Sequence, residues 1–492
     1  MRSIMAEKNP DGFVFLVNQL HPTMKFWAAP DGTLFADTRL RGRNCAIKVS
    51  SPHFVGAVYG ACKTKYSGLV PKPKDVEDYQ AYVLATEQIH PEVRPVGLRV
   101  LADGGALFYN MGGYGADAIK FQGGSWALCG DYPVRFVVGQ SQLAQKAPRA
   151  PTRAFRDLLA DFITCSPRDL MILEAWCIGT FLVQGPYPVL VLHGEQGTAK
   201  STTTRLLAKL VDPCGIDVRR APSSDRDLAV ACYNSHVIAL DNISQIKPWL
   251  SDALCSIATG TGAIGGRKLY TDFGDASVAQ ARPIVLNGIP DFVEREDLAD
   301  RSIGVRLDTI PSHKRRDDAS FWAAFDAALP ELLGALFDRV AVAWRDFQTI
   351  KVEYLPRMSN WARFVAAAFT PQEREEFFAV LKADAAKTDE RMLEDNLIAQ
   401  SIFRVLVNGD WEGSSLRLIG ELKQRHPLAG SSWQMPDTPK RMTNALTRLK
   451  PILRSAGVVI DLDAGYETGT RRKLVRISKT REYIDRPFVT AT

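Results

Sequence analysis

The feature that most constrains this chain of 492 residues is one short segment near its centre, Val189–Thr202 (VLVLHGEQGTAKST). Its apolar start predicts a buried strand, Gly194 and Gly197 predict a tight turn, and a helix is expected to begin at Lys200. Backbone N–H groups in such a turn point inward and bind phosphate groups at the start of the helix. The segment therefore predicts an α/β domain that binds a nucleoside triphosphate, with ATP and Mg²⁺ as its ligands.

The polar side chains of this loop have expected roles. Lys200 is expected to reach the β- and γ-phosphate oxygens, and the Ser201 hydroxyl is expected to ligate Mg²⁺. The loop departs from the common pattern because Ala199 stands where a glycine is usual. A plain glycine turn without a ligand is the alternative. The predicted nucleotide-binding residues are Gly194, Glu195, Gln196, Gly197, Thr198, Ala199, Lys200, Ser201 and Thr202.

Two later apolar segments predict strands that end in polar side chains. Asp241 closes the first, and is expected to hold Mg²⁺ together with Ser201. The next residue is Asn242, where many such ATPases have a glutamate, so the general base stays unassigned and slow hydrolysis is expected. Asn287 closes the second strand and is expected to orient water against the γ-phosphate. A simple Asn-Gly turn at Asn287 is the alternative.

A fourth catalytic candidate follows in the segment Asp297–Arg301 (DLADR). The Arg301 guanidinium is expected to serve the site of a neighbouring subunit as an arginine finger. A local ion pair between Asp300 and Arg301 is the alternative. The predicted catalytic residues are Lys200, Asp241, Asn287 and Arg301, with Ser201 and Asp241 as metal ligands.

These motifs resemble the AAA+ superfamily. Within it, the chain is most similar to superfamily 3 helicases of the phage and plasmid primase-helicase type. The segment Ala258–Tyr270 (ATGTGAIGGRKLY) is similar to that family's glycine-rich stretch before a hairpin. The resemblance implies a hairpin that lines a central pore, with Arg267 and Lys268 in contact with DNA phosphates. The acidic tip Thr271–Asp275 favours the alternative, a solvated surface hairpin.

Composition changes along the chain predict five regions. An N-terminal α+β domain of unknown role contains short β-type segments such as Phe13–Val17 and Val134–Val138. A helical module precedes the ATPase core, and a second helical region and a winged helix follow it. The predicted boundaries are 1–147, 148–185, 186–312, 313–408 and 409–492.

The last region is basic. Net charge is +6 for the whole chain, and residues 401–492 contain sixteen Lys and Arg against nine Asp and Glu. The order helix, helix, strand, turn, strand is typical of a winged helix, and Thr438-Pro439 predicts the start of a helix that runs to Ser455. A solvated charged face is the alternative to DNA binding. The predicted DNA contacts here are Lys440, Arg441, Arg448, Arg471, Arg472 and Lys473.

Other classes of site and location are disfavoured. The eight cysteines are scattered without a CxxC pair, so neither a zinc site nor a disulfide framework is predicted. The most apolar region, Met171–Leu192, is interrupted by Glu174, Gln184 and two prolines, so no membrane span is predicted. A cytoplasmic location is expected.

Two hypotheses for function remain. The first is an ATP-dependent DNA helicase or translocase of a phage or mobile genetic element. It would act on single-stranded or forked DNA as a homo-oligomeric ring, such as a hexamer. The alternative is a nucleotide-dependent DNA-binding switch or regulator that does not unwind DNA, which Asn242 and the acidic hairpin tip favour. A small-molecule kinase accounts for neither the basic tail nor Arg301.

Overall fold

The computed structural model divides the chain into two units, Met1–Phe378 and Ala379–Thr492. The residues that it describes are 12–40, 43–65, 70–113, 115–139, 141–261, 264–267, 275–278, 281–288, 292–293, 295–425, 436–467 and 473–483.

The first elements form a small α/β module. They are α1 Gly12–Phe15, β1 Lys25–Ala28, β2 Leu34–Leu40, β3 Arg43–Lys48, α2 Pro52–Lys65 and α3 Pro73–Thr86. The three strands pair antiparallel in the order β1-β2-β3. The strand predicted at Phe13–Val17 is wrong, because α1 and a following helical turn occupy this segment. So short an apolar run does not distinguish helix from strand.

A four-stranded antiparallel meander follows. Its strands are β4 Val100–Asp103, β5 Ala106–Asn110, β6 Ala118–Gln122 and β7 Ser125–Cys129, in that order across the sheet. The strand predicted at Val134–Val138 is reduced to one isolated bridge between Phe136 and Gly97.

Two helices precede the central sheet, α4 Phe155–Ala160 and α5 Pro167–Gly179. Ser166 caps α5 by accepting a hydrogen bond from the Asp169 N–H at 3.1 Å. The helix is buried almost all round, and it includes the fully buried carboxylate of Glu174. Arg156 on α4 donates a hydrogen bond to that carboxylate at 2.7 Å, so a charged pair ties the two helices together.

The central sheet is parallel. Its elements, in chain order, are β8 Val189–His193, α6 Lys200–Val211, α7 Asp225–Asn234, β9 Ile238–Ile243, α8 Pro248–Thr259, β10 Ile264–Arg267, β11 Asp275–Val278, β12 Ile284–Gly288, α9 Glu296–Ala299 and β13 Ser302–Arg306. The strand order is β13-β8-β12-β9, and β10 and β11 form a separate antiparallel hairpin. Val189, Leu190 and Leu192 are fully buried, as expected for a parallel strand covered on both faces.

Three helices follow, α10 Asp318–Asp346, α11 Ser359–Ala368 and α12 Pro371–Asp395. Within the described part of the chain, α10 is the one helix long and apolar enough to cross a membrane. Its residues Leu332, Leu336 and Val340 are fully buried, which is typical of a core helix. Arg339 on α10 donates to Glu174 at 3.1 Å and so joins the same buried pair.

The boundary predicted at residue 147 does not divide the structure. Trp126 on β7 donates a hydrogen bond to Asp338 on α10 at 2.7 Å, and Phe121 on β6 packs edge-to-face on Phe337. These contacts join aromatic residues of the meander to a helix more than 200 residues away in the sequence, so both belong to the first unit.

The second unit contains α13 Leu397–Leu406, β14 Trp411–Ser414, α14 Ser415–Arg425, α15 Pro439–Ser455, β15 Val458–Asp461 and β16 Leu474–Lys479. Its sheet is antiparallel in the order β14-β16-β15. The predicted start of α15 is confirmed, with Thr438 as its cap and Pro439 in the first turn. The boundary predicted at 408/409 is misplaced, because Phe403 and Leu406 of α13 belong to the core of this unit.

The buried side chain of His236, two residues before β9 in the first unit, provides a test of the packing around the central sheet. Burial lowers its pKa to about 4, so the folded protein keeps it neutral while the unfolded chain binds a proton below pH 6.5. The free energy of unfolding should therefore rise by up to about 3 kcal/mol between pH 4 and pH 6.5 on account of this residue. Urea unfolding of the wild type and of His236→Gln at several pH values checks this. Identical slopes against pH in the two proteins would contradict it.

Candidate functional site

The strand order brings the predicted loop and two of the predicted polar residues to one edge of the sheet. β12 lies between β8 and β9, with Asn287 opposite Leu192 and Leu286 opposite Leu240. The loop after β8, the amide of Asn287 and the carboxylate of Asp241 therefore meet at the carboxyl ends of neighbouring parallel strands. In open α/β sheets this edge is where ligands bind.

The loop from Gly194 to Ala199 has an unusual backbone. Gly194, Gly197 and Ala199 have φ angles of +155°, +84° and +60°. A Cβ atom at Gly194 would lie 2.6 Å from the Thr198 hydroxyl oxygen, so a larger residue does not fit there. The Thr198 hydroxyl donates to the carbonyl of Glu195 at 3.0 Å, which closes the loop.

Lys200 begins α6, and its ammonium group is held by the loop itself. It donates to the carbonyl oxygens of Gly194 at 2.7 Å and Glu195 at 2.8 Å. The first N–H groups of α6 have no partner within the helix and carry the positive end of its dipole. An ammonium group and these N–H groups thus border the same small space, which suits an anion.

The two predicted metal ligands contact each other. The Ser201 hydroxyl donates to the Asp241 carboxylate at 2.7 Å, although 40 residues separate them in the sequence. A hydroxyl and a carboxylate oxygen are hard ligands of the kind that Mg²⁺ prefers. Among the described residues no group of three or more His, Cys, Asp or Glu side chains could hold a metal ion.

Asn287 lies between the loop and Asp241 but is only 2% exposed. Its Nδ2 donates to the Thr204 hydroxyl at 2.6 Å, and its Oδ1 accepts from the Asn242 N–H at 3.1 Å. The amide therefore ties β12 to α6 and to the end of β9. The role of Thr204 was missed, although its position one turn after Lys200 places it on the same face of the helix.

Arg301 does not join the other predicted residues. Its carbonyl pairs with the N–H of Val189 at the amino end of β8, about 16 Å of strand away from the loop. Its guanidinium lies 3.6 Å from the Asp297 carboxylate, and its buried Nε has no hydrogen-bond partner among the described residues. The alternative pair with Asp300 is wrong, because Asp300 contacts Arg357 instead.

The predicted hairpin residues are only partly described. The hairpin is present, and Arg267 lies on β10 opposite Asp275 on β11. The side chain of Arg267 and all of Lys268 lie outside the described residues, as do Arg471 and Arg472. Lys473 is described and forms an exposed ion pair with Asp463 at 3.2 Å.

The predicted DNA-binding residues of α15 lie on its exposed side. Lys440 and Arg448 are exposed, with Asn444 midway between them along the same face. Arg441, also exposed, pairs with Asp437 at 2.9 Å. The opposite side of the helix supplies the buried residues Met442, Leu446, Leu449 and Leu453. The apolar side thus holds the helix in the core. The side chains of Lys440 and Arg448 face outward and have no ion pair with any residue that the structure describes.

A cleft of about 750 Å³ opens beside the loop, within the size range of small-molecule sites. It was not predicted, because its walls come from three distant parts of the sequence. Phe162 contributes an aromatic ring from the segment after α4, and Phe321 from α10 packs edge-to-face on it. Other lining residues are Asp161, Gly197, Ala199, Thr202, His313, Arg315 and Arg316.

Two family models match the sequence. The actinomycete integrative conjugative element replication protein model matches residues 156–390, and the C-terminal domain model of the same family matches residues 398–489. Together they span about two thirds of the chain. The chain belongs to this family of replication proteins. The loop, Asp241, Asn287 and Arg301 all lie within the first match, and α15 lies within the second.

Solved structures show more distant likenesses to this replication protein. The SCCmec type IV Cch active helicase is 12% identical with a TM-score of 0.47, covering 92% of both chains. The NrS-1 C terminal region is 10% identical with a TM-score of 0.39, covering 96% of this chain and 100% of its own. JCV helicase is 9% identical with a TM-score of 0.25, covering 46% and 59%. These scores do not establish a shared fold. No curated protein matches the sequence.

The left-handed backbone at Ala199 generates a test of the loop. This conformation costs a residue with a Cβ atom roughly 1–2 kcal/mol, part of which the flexibility of glycine in the unfolded chain offsets. Ala199→Gly should therefore raise the free energy of unfolding by about 1 kcal/mol. As a control, Ala327→Gly on an exposed turn of α10 should lower it by about 1 kcal/mol. Urea unfolding measures both. A loss of stability in Ala199→Gly would contradict the loop conformation.

Proposed function

We propose that this replication protein is an ATP-dependent DNA helicase or translocase that acts as an oligomeric ring in the replication of a mobile element. The observation that carries the proposal is the contact between Ser201 and Asp241 beside the loop that holds Lys200. These groups match the chemistry of a triphosphate with its metal ion: N–H groups and an ammonium for phosphate oxygens, and hard oxygens for Mg²⁺.

The residues of the loop would exchange partners when nucleotide binds. Lys200 now donates to two carbonyl oxygens of its own loop, and phosphate oxygens are stronger acceptors for an ammonium group. Ser201 and Asp241 would hold Mg²⁺, which when bound would neutralise charge on the β- and γ-phosphates. The cleft beside the loop would accept the nucleoside, with the rings of Phe162 and Phe321 against the base.

Arg301 supports an assembly of several subunits. It lies at the amino edge of the sheet, on the side opposite its own loop, so it cannot reach the triphosphate of its own subunit. A guanidinium at that edge could instead complete the site of a neighbour as an arginine finger. Asp297 holds it in place until then.

The second candidate is a nucleotide-dependent DNA-binding switch. Asn242 favours it, because the residue after Asp241 lacks a carboxylate to activate water. Asn242 has a φ angle of +56°, a conformation that asparagine adopts more readily than glutamate. A site that binds ATP tightly and hydrolyses it slowly would serve assembly on DNA rather than movement along it.

The ATPase rate with and without single-stranded DNA tests the proposal against this alternative. A translocase should hydrolyse ATP faster when DNA is present, whereas the switch should show the same rate. Lys200→Ala should abolish both turnover and strand displacement, because the phosphates lose their ammonium partner. Lys351→Ala, an exposed lysine in a loop of the same unit, is the control and should retain activity.

Two results would decide against the helicase. Strand displacement that survives in Lys200→Ala would separate unwinding from this site. An ATPase rate indifferent to DNA would favour the switch. A ring of subunits seen by electron microscopy in the presence of ATP would support the assembly that Arg301 requires.

In the second unit we propose a winged helix that binds DNA through α15. The double variant Lys440→Glu/Arg448→Glu should weaken duplex binding and lower the salt dependence of log K by about 2, since about two phosphate contacts are lost. Arg417→Glu/Arg476→Glu, which alters two exposed arginines that already pair with carboxylates, is the matched control. Equal losses in both variants would indicate that net charge, rather than α15, governs binding.

A further inference from the structure

The far end of α6, away from the nucleotide loop, is capped by residues of the N-terminal meander region. The last carbonyl groups of a helix have no partner within it and need donors from elsewhere. Tyr109 donates to the carbonyl of Val211 at 2.8 Å, and Gln145 donates to that of Leu210 at 3.0 Å. Both donors are buried and both precede the first residue of the family match, residue 156.

Arg99 completes this cap. Its side chain is fully buried, and its Nε donates to the Asp212 carboxylate at 2.7 Å. Its Nη2 donates to the carbonyls of Leu143 and Pro213, both at 2.8 Å, and its Nη1 donates to the carbonyl of Asn110 at 3.1 Å. A cation at this position also interacts favourably with the negative end of the helix dipole. The guanidinium group of Arg99, the residue just before β4, thus connects the end of α6 to the segment that follows the meander.

Asp212 makes a second connection through its other oxygen. That oxygen accepts hydrogen bonds from the N–H groups of His236 at 2.6 Å and Val237 at 3.1 Å. These residues directly precede β9, the strand that ends at Asp241. A single carboxylate therefore holds the end of α6 and the beginning of β9 together.

The consequence appears at the nucleotide site. α6 has twelve residues, so its ends lie about 18 Å apart, with Ser201 near one end and Asp212 at the other. β9 runs from Asp212 back towards Ser201. Asp212 connects the last turn of α6 to the beginning of β9. The other ends of the two elements meet in the contact of 2.7 Å between Ser201 and Asp241.

We propose that Arg99 is a positioning residue that, through Asp212, fixes the separation of Ser201 and Asp241, and that residues 98–145 are part of the nucleotide-binding unit. The proposal rests on the proposed function of the site. Stability alone does not explain the pair, because a buried ion pair contributes little beyond what well-packed apolar residues provide. The four hydrogen bonds that Arg99 donates fix the position of Asp212, and this positioning explains the buried pair.

The experiment measures the affinity of the full-length protein for a fluorescent, non-hydrolysable ATP analogue with excess Mg²⁺ and with EDTA. The ratio of the two affinities reports how well Ser201 and Asp241 are placed for the metal ion. Arg99→Met should lower this ratio about 10-fold or more, as the loss of groups that orient metal ligands does elsewhere, with little change in the affinity without Mg²⁺. A fall in stability alone would reduce the fraction of active protein and leave the ratio unchanged.

The control is Arg135→Met, which removes a half-buried arginine in the same part of the chain. Its hydrogen bonds within the described residues go to Asp37, Pro133 and Val134 rather than to α6. This variant should retain the wild-type ratio. Arg99→Lys, which keeps the charge but not the set of hydrogen bonds, should give an intermediate ratio and serves where Arg99→Met does not fold.

The outcomes separate the two proposals. A wild-type ratio in folded Arg99→Met or Arg99→Lys overturns the positioning role and leaves the proposed function intact. A wild-type protein whose affinity for the analogue does not depend on Mg²⁺ overturns the proposed function, and the positioning role with it. A lowered ratio in the Arg99 variants together with an unchanged ratio in Arg135→Met supports the role.

Discussion

In a parallel sheet, the residues that follow the carboxyl ends of neighbouring strands lie side by side, and the chemistry of this chain depends on that constraint. β12 is inserted between β8 and β9, so its last polar residue, Asn287, lies between the loop and Asp241. The amide of Asn287 then holds Thr204 on one side and the backbone of Asn242 on the other. This arrangement supports the contact between Ser201 and Asp241 from the side of β12, although the two residues are far apart in the sequence.

α6 is held at both ends by buried polar contacts that differ in kind. Near the loop, Thr204 binds Asn287, a neutral contact between a hydroxyl and an amide. At the far end, Asp212 binds Arg99 and two backbone N–H groups, a charged contact with no exposure to water. Charged hydrogen bonds are stronger than neutral ones, and the Asp212 carboxylate accepts three of them. The far end is therefore the more strongly held, and in the proposed function we expect any movement of α6 to be concentrated near Lys200.

The site was predictable from sequence where its residues are contiguous or end a strand. The loop has a glycine pattern with a physical reason, and Asp241 follows an apolar run, so both could be located in advance. Arg99 and the cleft could not, because a buried arginine and three separated wall segments leave no local pattern. The boundaries predicted at 147 and 408/409 differ from the structure for the same reason. The hydrogen bond from Trp126 to Asp338 and the packing of Phe403 in the core of the second unit join segments that are distant in the sequence, and composition does not record such contacts.

The two edges of the sheet explain why one subunit is an incomplete enzyme in the proposed function. The loop, Ser201 and Asp241 lie at the carboxyl edge, whereas Arg301 lies at the amino edge. One of its guanidinium nitrogens is buried and has no partner in the part of the chain that the structure describes. In the proposed function, each subunit would thus carry one half of two different sites. Because Asn242 supplies no carboxylate, the rate of hydrolysis would depend on what the neighbour adds. A motor and a switch could therefore share this architecture and differ only in how well the neighbour's guanidinium stabilises the transition state.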